Sequence, residues 1–356
     1  MLRTQFSMHE QNQSQDWDPL DPETWRDAPA TYDEMRARCP VAHSDRWGGF
    51  WALTRYADIV RVASDSETFI SSIQNLVPMS PRSGVPRRPL QVDPPEHAHF
   101  RRAMNPYFET DRIATLEPVL RELAVRFLAP LIAKKRGDAM EEFARRLPIR
   151  AICAFLRTSE QDAEWIQARS GKYVEAISQD DRATASALSA ELDAYAQRFV
   201  AARHAAPLDP HLDIVTGMFN ATIEGKPIED DIIASFVRGL IVAADRSTSN
   251  GIGSAIWHLA TYRDLQMQLR REPARIPDAI EEFVRLYAPS HATARTATRD
   301  VEHGVHTCGG QALALLQLRV ALEELLARAP RFELDGEVIF NTWPEYGPKS
   351  LPIRFV

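Results

Sequence analysis

A lone cysteine in a glycine-flanked loop carries the strongest chemical signal of this sequence. Cys308 lies in the run Val301-Glu302-His303-Gly304-Val305-His306-Thr307-Cys308-Gly309-Gly310, and apolar residues at helical spacing follow from Gln311 to about Ala327. The amides and the dipole at a helix N-terminus lower the pKa of a nearby thiol, and the thiolate both attacks electrophiles and binds metals. Taken by itself, a cysteine in this position is more often a small buried apolar residue. The rest of the chain has to decide between these interpretations.

Three further groups of polar residues precede Cys308. Glu282 and Arg285 lie at i,i+3 on a predicted helix, and His97 and Arg101 lie at i,i+4 on another. The third group interrupts an apolar helix and consists of Asp245, Arg246, Ser247 and Thr248. A buried polar group without a partner costs free energy, so such a cluster in an apolar helix indicates a function.

The order of these motifs, with Arg295 between the Glu282 helix and Cys308, resembles that of bacterial soluble cytochromes P450. The likeness runs from about Trp51 to Phe355 and so covers most of the chain. It implies a mainly α fold with a small β part, in which residues 31–356 form a single domain behind a polar tail at residues 1–30. It also implies haem b as the cofactor, with Cys308 as the iron ligand.

Further roles are implied by the same resemblance. In this family cations hold the haem propionates, and glycines let the backbone approach the porphyrin. The matching cofactor-binding positions are His97, Arg101, Arg295, His306, Cys308 and Gly310. Glu282 and Arg285 match a buried ion pair of the family, which implies a structural role for them.

The polar cluster departs from the family pattern in a way that bears on chemistry. Family members usually place an acid and then an alcohol here to relay protons, whereas this chain has Arg246 and Ser247. An arginine is not a suitable proton donor, which leaves Asp245, Ser247 and Thr248 to organise water. A guanidinium is a natural clamp for a carboxylate, so we expect Ala243 and Arg246 to contact the substrate. The alternative is that Arg246 points away from the pocket and pairs with an acid.

The segment between the Glu282 helix and the cysteine loop is unusually short. Arg285 and Cys308 are 23 positions apart, whereas several tens of residues, including part of the β-sheet and the meander, separate them in the family. The sequence therefore indicates a deletion near 302/303. A natural or engineered deletion, a reading-frame or assembly artefact, and a longer protein with a stretch absent from this sequence all remain open. Val301 and Leu315 also replace an aromatic residue and an arginine of the family pattern.

Local patterns predict the elements that position these residues. A short helix is expected over Thr31–Arg38, a strand over Phe50–Thr54, and an irregular loop over Ile73–Pro94, which carries five prolines. Residues 97–206 are nearly all helical in pattern. A long helix is expected from Pro227, with acidic residues in its first turn, to about Thr261.

Composition excludes several classes of protein. The 356 residues are 44% hydrophobic and carry a net charge of −7 with no basic stripe, so nucleic acid is not an expected partner. No uncharged apolar run reaches membrane-spanning length and no signal peptide opens the chain, so no membrane association is expected. Three cysteines do not make a disulfide framework and indicate a reducing compartment, the cytoplasm.

The resemblance implies a haem-thiolate monooxygenase, an oxidoreductase that activates O2 to oxidise a small organic substrate, with carboxylates as one candidate class. No flavin or iron–sulfur motif is present, so the electrons are expected from an external ferredoxin and reductase. Two alternatives are a peroxide-driven peroxygenase and an inactive or haem-free remnant that binds a ligand or partner. A thiol hydrolase is disfavoured because no third group orients His306 toward Cys308. Zinc is disfavoured because no second ligand cluster exists.

Overall fold

Helices dominate the part of the chain that the structure describes. The computed structural model describes residues 16–81, 86–298 and 311–356, so the predicted site residues His306, Cys308 and Gly310 lie outside the described residues. The helices are α1 (Pro22–Arg26), α2 (Ala28–Arg38), α3 (Tyr56–Ser64), α4 (Glu96–Met104), α5 (Thr110–Ala114), α6 (Glu117–Ala133), α7 (Arg146–Leu156), α8 (Glu160–Ser178), α9 (Arg182–Ala205), α10 (Ile214–Phe219), α11 (Asp230–Thr261), α12 (Arg263–Arg271), α13 (Ile276–Leu286) and α14 (Gln311–Arg328). The expected mainly α fold is confirmed.

The β part is small and entirely antiparallel. Its strands are β1 (Val41–Ser44), β2 (Phe50–Leu53), β3 (Phe69–Ile70), β4 (Arg136–Asp138), β5 (Thr222–Ile223), β6 (Lys226–Pro227), β7 (Thr296–Ala297), β8 (Phe332–Leu334), β9 (Ile339–Phe340), β10 (Pro348–Ser350) and β11 (Pro352–Phe355). Within the described ranges, β4–β11–β8 is the only sheet of three strands, and β1–β2, β3–β7, β5–β6 and β9–β10 are pairs.

The long helix α11 forms the centre of the helical core. It starts with Asp230 and Asp231, whose charges stabilise a helix N-terminus, and it extends over 32 residues. Helices α7, α8, α9, α13 and α14 pack against it. Gly251 of α11 faces the Leu318 side chain of α14. The predicted helix beginning near Pro227 and ending near Thr261 is thus confirmed.

Apolar burial holds these helices together. Leu120 of α6, Leu156 of α7 and Leu322 of α14 are all inaccessible to solvent and belong to one core cluster. Burying such a side chain stabilises the folded state by about 1.5–3 kcal/mol. The positions of α6, α11 and α14 are therefore fixed by packing, which matters because α11 and the start of α14 border the site.

The folded part of the chain starts earlier than the expected boundary at residue 31. Trp17 is buried, and its ring contacts that of Trp343 edge-to-face at 5.5 Å. Helix α1 is capped by Asp21, whose carboxylate accepts a hydrogen bond from the Glu23 amide at 2.9 Å, and α2 already begins at Ala28. The local sequence is polar and gives no sign of this packing, because the partner Trp343 is distant in the chain.

No helix among the described residues is both long and apolar enough to cross a bilayer.

Candidate cofactor site

One face of α11 is open although the helix around it is buried. Ala243 and Ser247 are exposed, and the Ser247 hydroxyl donates to the Ala243 carbonyl at 3.0 Å. Residues four apart lie on the same face of a helix, so the two positions border one space. One turn further along, Gly251 lies against Leu318 of α14, which closes that side. Helix α14 begins three residues after Cys308 in the sequence, and Cys308 itself lies outside the described residues.

The four residues of the predicted polar cluster do not all lie on this exposed face of α11. Of these four residues, Ser247 alone is exposed. Asp245 is 4% exposed and accepts a hydrogen bond from the Ser170 hydroxyl of α8 at 2.7 Å. Burial raises the pKa of the Asp245 carboxyl, while the Ser170 hydrogen bond and Arg246 oppose the rise. Thr248 is buried as well.

Arg246 is engaged by two other parts of the fold. Its Nη2 donates to the Gly171 carbonyl of α8 at 2.9 Å, and its Nη1 lies 3.7 Å from Oε2 of Glu345. This geometry is the alternative in which the arginine pairs with an acid. Contact of Arg246 with a substrate carboxylate stays a prediction.

Glu345 is a site residue that sequence reasoning missed. It lies in the loop 341–347 between β9 and β10, and its side chain is 14% exposed. Burial, with a contribution from Asp245, raises the pKa of Glu345 to about 7, while Arg246 and Asn250 oppose the rise. A single glutamate in a loop has no local signal, because its importance comes from contact with a distant helix.

Three of the predicted haem-binding cations lie in one corner around Asp93. Partial burial and the neighbouring Arg101 lower the pKa of His97, and Asp93 opposes this effect. Burial also lowers the pKa of Arg295, and the same Asp93 again opposes it. The carboxylate of Asp93 accepts hydrogen bonds from the amides of Ser71 and Ser72 at 2.7 and 3.2 Å.

Arg295 has an unused donor. Its Nη1 donates to the Ala294 carbonyl at 2.6 Å, but its buried Nε has no hydrogen-bond partner in the described part of the molecule. A buried donor without a partner is unusual in a native protein and calls for an acceptor that occupies the site. A carboxylate such as a haem propionate supplies that acceptor.

The predicted structural ion pair forms, but at the surface. Arg285 Nε and Nη2 donate to the two carboxylate oxygens of Glu282, each at 2.7 Å. The side chains of Arg285 and Glu282 are 66% and 52% exposed, so the expected burial is not observed. The reason is that none of the described segments covers this face of α13.

Comparisons with known proteins agree with this architecture. No family model matches the chain. Cytochrome P450 130 of Mycobacterium tuberculosis is 28% identical over 398 residues, with 93% of this chain and 96% of the relative covered. Vitamin D(3) 25-hydroxylase of Pseudonocardia autotrophica is 27% identical, with 87% of this chain and 88% of the relative covered.

Solved structures share the fold. CYP108D1 from Novosphingobium aromaticivorans superposes with a TM-score of 0.82 at 24% identity, covering 95% of this chain and 96% of that one. A mutant of P450 EryK in complex with erythromycin B gives a TM-score of 0.77 at 25% identity, covering 91% and 95%.

The fold is therefore that of a haem-thiolate oxidoreductase. The chain is similar in sequence and fold to cytochromes P450 over most of its length and is a P450 monooxygenase-like protein, whose cofactor is haem with thiolate-ligated iron. Two features of the described residues fit this cofactor: the open face at Ala243 and Ser247, and the cationic corner in which the Arg295 Nε lacks an acceptor.

Proposed function

We propose that this protein inserts one oxygen atom from O2 into a small organic substrate, with electrons from an external ferredoxin and reductase. The observation that carries the proposal is the open Ala243–Ser247 face on the otherwise buried α11. The named relatives include hydroxylases of vitamin D(3) and of erythromycin at C-12. We place the protein in the cytoplasm, on the strength of its three cysteines without a disulfide framework.

Cys308 is the proposed iron ligand, and His97, Arg101, Arg295 and His306 are the proposed partners of the propionates, with Gly310 leaving room for the porphyrin. When bound, a thiolate-ligated haem supplies electron density that favours cleavage of the O–O bond. Arg295 then gains the acceptor that its Nε lacks.

The proton-handling residue nearest to the open face is Ser247. Its hydroxyl donates to the Ala243 carbonyl, so its oxygen is free to accept a hydrogen bond from a water molecule in the open space. Asp245 is held by Ser170 and faces α8, so its proposed contribution is electrostatic. In this proposal Ser247 orients water, and Ala243 and Arg246 contact the substrate.

We further propose that residues 31–356 correspond to a P450 domain that lacks a stretch near 302/303. The match to the Mycobacterium relative extends over 398 aligned positions but covers only 93% of the 356 residues of this chain. Relatives therefore have residues without a counterpart here. The Glu282–Arg285 pair supports the proposal. The family resemblance implies that this pair is buried, but here both side chains are more than half exposed.

Loss of the thiolate ligand tests the function directly. Reduced protein with carbon monoxide should show the red-shifted Soret band of thiolate-ligated haem, and Cys308→Ala should abolish that band. Cys153→Ala is the matched control: burial raises the pKa of the Cys153 thiol to about 11, so this thiol is an unreactive core residue.

Two outcomes would count against the assignment. Equal loss of the band in Cys308→Ala and Cys153→Ala would show that the effect is one of folding and not of ligation. Absence of any Soret band in the wild-type protein after haem loading would favour the alternative of a haem-free binding protein.

A further inference from the structure

Arg246 and Glu345 form an ion pair between the centre of α11 and the loop 341–347. The separation of 3.7 Å between Nη1 and Oε2 is longer than a hydrogen bond, whereas Nη2 is fixed on the Gly171 carbonyl at 2.9 Å. The side chains are only 16% and 14% exposed. One edge of the guanidinium is thus hydrogen-bonded to α8. The other edge faces the Glu345 carboxylate at a distance too long for a hydrogen bond.

The backbone holds Glu345 in place independently of this ion pair. A Cβ at Gly347 would lie 2.7 Å from the Cβ of Asn250, and Gly347 has a φ of 144°. Asn250 lies one turn after Arg246 on α11, so this contact presses the loop onto the face that carries the arginine. The Tyr346 amide donates to the Pro289 carbonyl at 3.2 Å. A substitution at Glu345 should therefore leave the loop where it is.

The pair borders the open face of α11. Arg246 directly precedes Ser247, which is exposed in the open space together with Ala243. The proposed function places a ligand along Ala243 and Ser247, adjacent on α11 to Arg246, whose side chain is 16% exposed. A carboxylate on that ligand would make the bidentate contact that Glu345 does not make.

We propose that Glu345 is an internal carboxylate that occupies Arg246 until the carboxylate of a substrate replaces it, so that Glu345 sets the specificity of the pocket for acids. This inference rests on the proposed function, which places the substrate beside Ala243 and Arg246.

Several charged groups surround Glu345. The charged groups that act on it are Asp245 and Arg246 on α11 and Arg145, which directly precedes α7, and the neutral amide of Asn250 forms a hydrogen bond to it. Behind Arg246, Glu175 of α8 pairs with Lys349 of β10 at 3.0 Å. Burial raises the pKa of Glu345 to about 7. Asp245, the acid that acts on it, accepts a hydrogen bond from Ser170.

The direction of the pH effect follows from this competition. Below pH 7 Glu345 is protonated and leaves Arg246 to the ligand, and above pH 7 it is ionised and competes with the ligand. At pH 8 about one molecule in eleven carries the proton, so the apparent affinity for a carboxylate should fall about tenfold. Binding at pH 8 should then take up about one proton.

Calorimetry on the haem-loaded protein with octanoate and octanamide as probes tests the proposal. For the wild type, the Kd for octanoate should be about tenfold higher at pH 8 than at pH 6, and that for octanamide should not change. In Glu345→Gln the pH dependence should vanish, and octanoate should bind about tenfold more tightly than to the wild type at pH 8. Glu175→Gln, the matched control, should keep the pH dependence, because Glu175 is 42% exposed and bound to Lys349.

Three results would overturn the proposal. The first is that Glu345→Gln binds octanoate at pH 8 no more tightly than the wild type does, or that neither protein binds it. The second is a pH dependence that survives in Glu345→Gln, which would assign the titration to Asp245. The third is an unchanged preference for octanoate over octanamide in Arg246→Gln.

A separate measurement tests the proposed function. The Soret band of the reduced carbon monoxide complex reports thiolate ligation in every variant, whatever the octanoate result. A normal band with no octanoate effect would refute the competition and leave the monooxygenase proposal intact.

Discussion

Two ion pairs of the same chemistry have opposite surroundings in this molecule. Arg203 and Asp213 pair inside the helical core, with side chains 8% and 0% exposed. Glu282 and Arg285 pair on α13 with more than half of each side chain in solvent. Core side chains shield the Arg203–Asp213 pair from solvent, whereas no described residue shields the Glu282–Arg285 pair on α13.

Aromatic residues show the same contrast. Phe143 in the core has no exposed surface, whereas Trp51 of β2 and Tyr56 of α3 are 54% and 82% exposed. Helix α3 has no buried residue at all, and β2 pairs only with β1 within the described chain. Helix α13 buries Ile276, Ile280 and Phe283 in the helical core and exposes its Glu282–Arg285 face. We take the exposed faces of α3 and α13 as the surfaces that a stretch missing near 302/303 would cover.

Restoring such a stretch should have the largest effect. We expect that a chain carrying the corresponding residues of the Mycobacterium relative between Glu302 and His303 unfolds at higher temperature and retains more haem per protein. Each buried backbone group that gains a partner should contribute about 1–3 kcal/mol. Calorimetric unfolding and haem content measure the two effects.

A glycine–serine insert of equal length is the control for this experiment and should give no gain. The intact mass should first agree with 40.2 kDa, the mass of this sequence. Suppose that a chain of that mass binds haem stoichiometrically and unfolds at the same temperature as its relatives. This result would show that the exposed face of α13 is stable in water, and it would contradict the contrast drawn between the core and the α13 surface.

The buried pair should respond strongly to loss of charge. Asp213→Asn leaves the Arg203 guanidinium buried without its counter-charge, and we expect a loss of about 3–5 kcal/mol in the free energy of unfolding, measured in urea. Asparagine also caps helices well, so the hydrogen bond from the Thr216 amide at 2.7 Å is retained. A loss below about 1 kcal/mol would mean that the carbonyls of Leu156 and Arg157, at 3.3 and 3.4 Å, suffice for Arg203.

The exposed pair should respond least. Glu282→Gln should leave the unfolding midpoint of this chain unchanged, because water solvates both groups once they separate. In the chain with the restored stretch the same substitution should become destabilising. Equal behaviour in the two chains would contradict the view that the restored residues cover α13.

Local periodicity was sufficient to predict the main helices. Helix α14 begins at Gln311 as expected, and α11 ends at Thr261, since capping, charge placement and apolar spacing act within a few turns. The irregular loop predicted for 73–94 is observed in its described residues, 73–81 and 86–94, because prolines disfavour regular hydrogen bonding. The buried start at Trp17 was not, because a single aromatic residue shows nothing of a partner elsewhere in the chain.

The sequence alone was sufficient to predict the class of protein, because the resemblance rests on the order and spacing of motifs along the chain, which do not depend on contacts between distant segments. Tertiary structure decided what each of the other charged residues does. It brought Asp93 close enough to act on the pKa of both His97 and Arg295, left Arg295 Nε without an acceptor among the described residues, and set Glu345 opposite Arg246. Partners and burial fix the charge state of an ionisable group, and both come from contacts between segments that are distant in the chain.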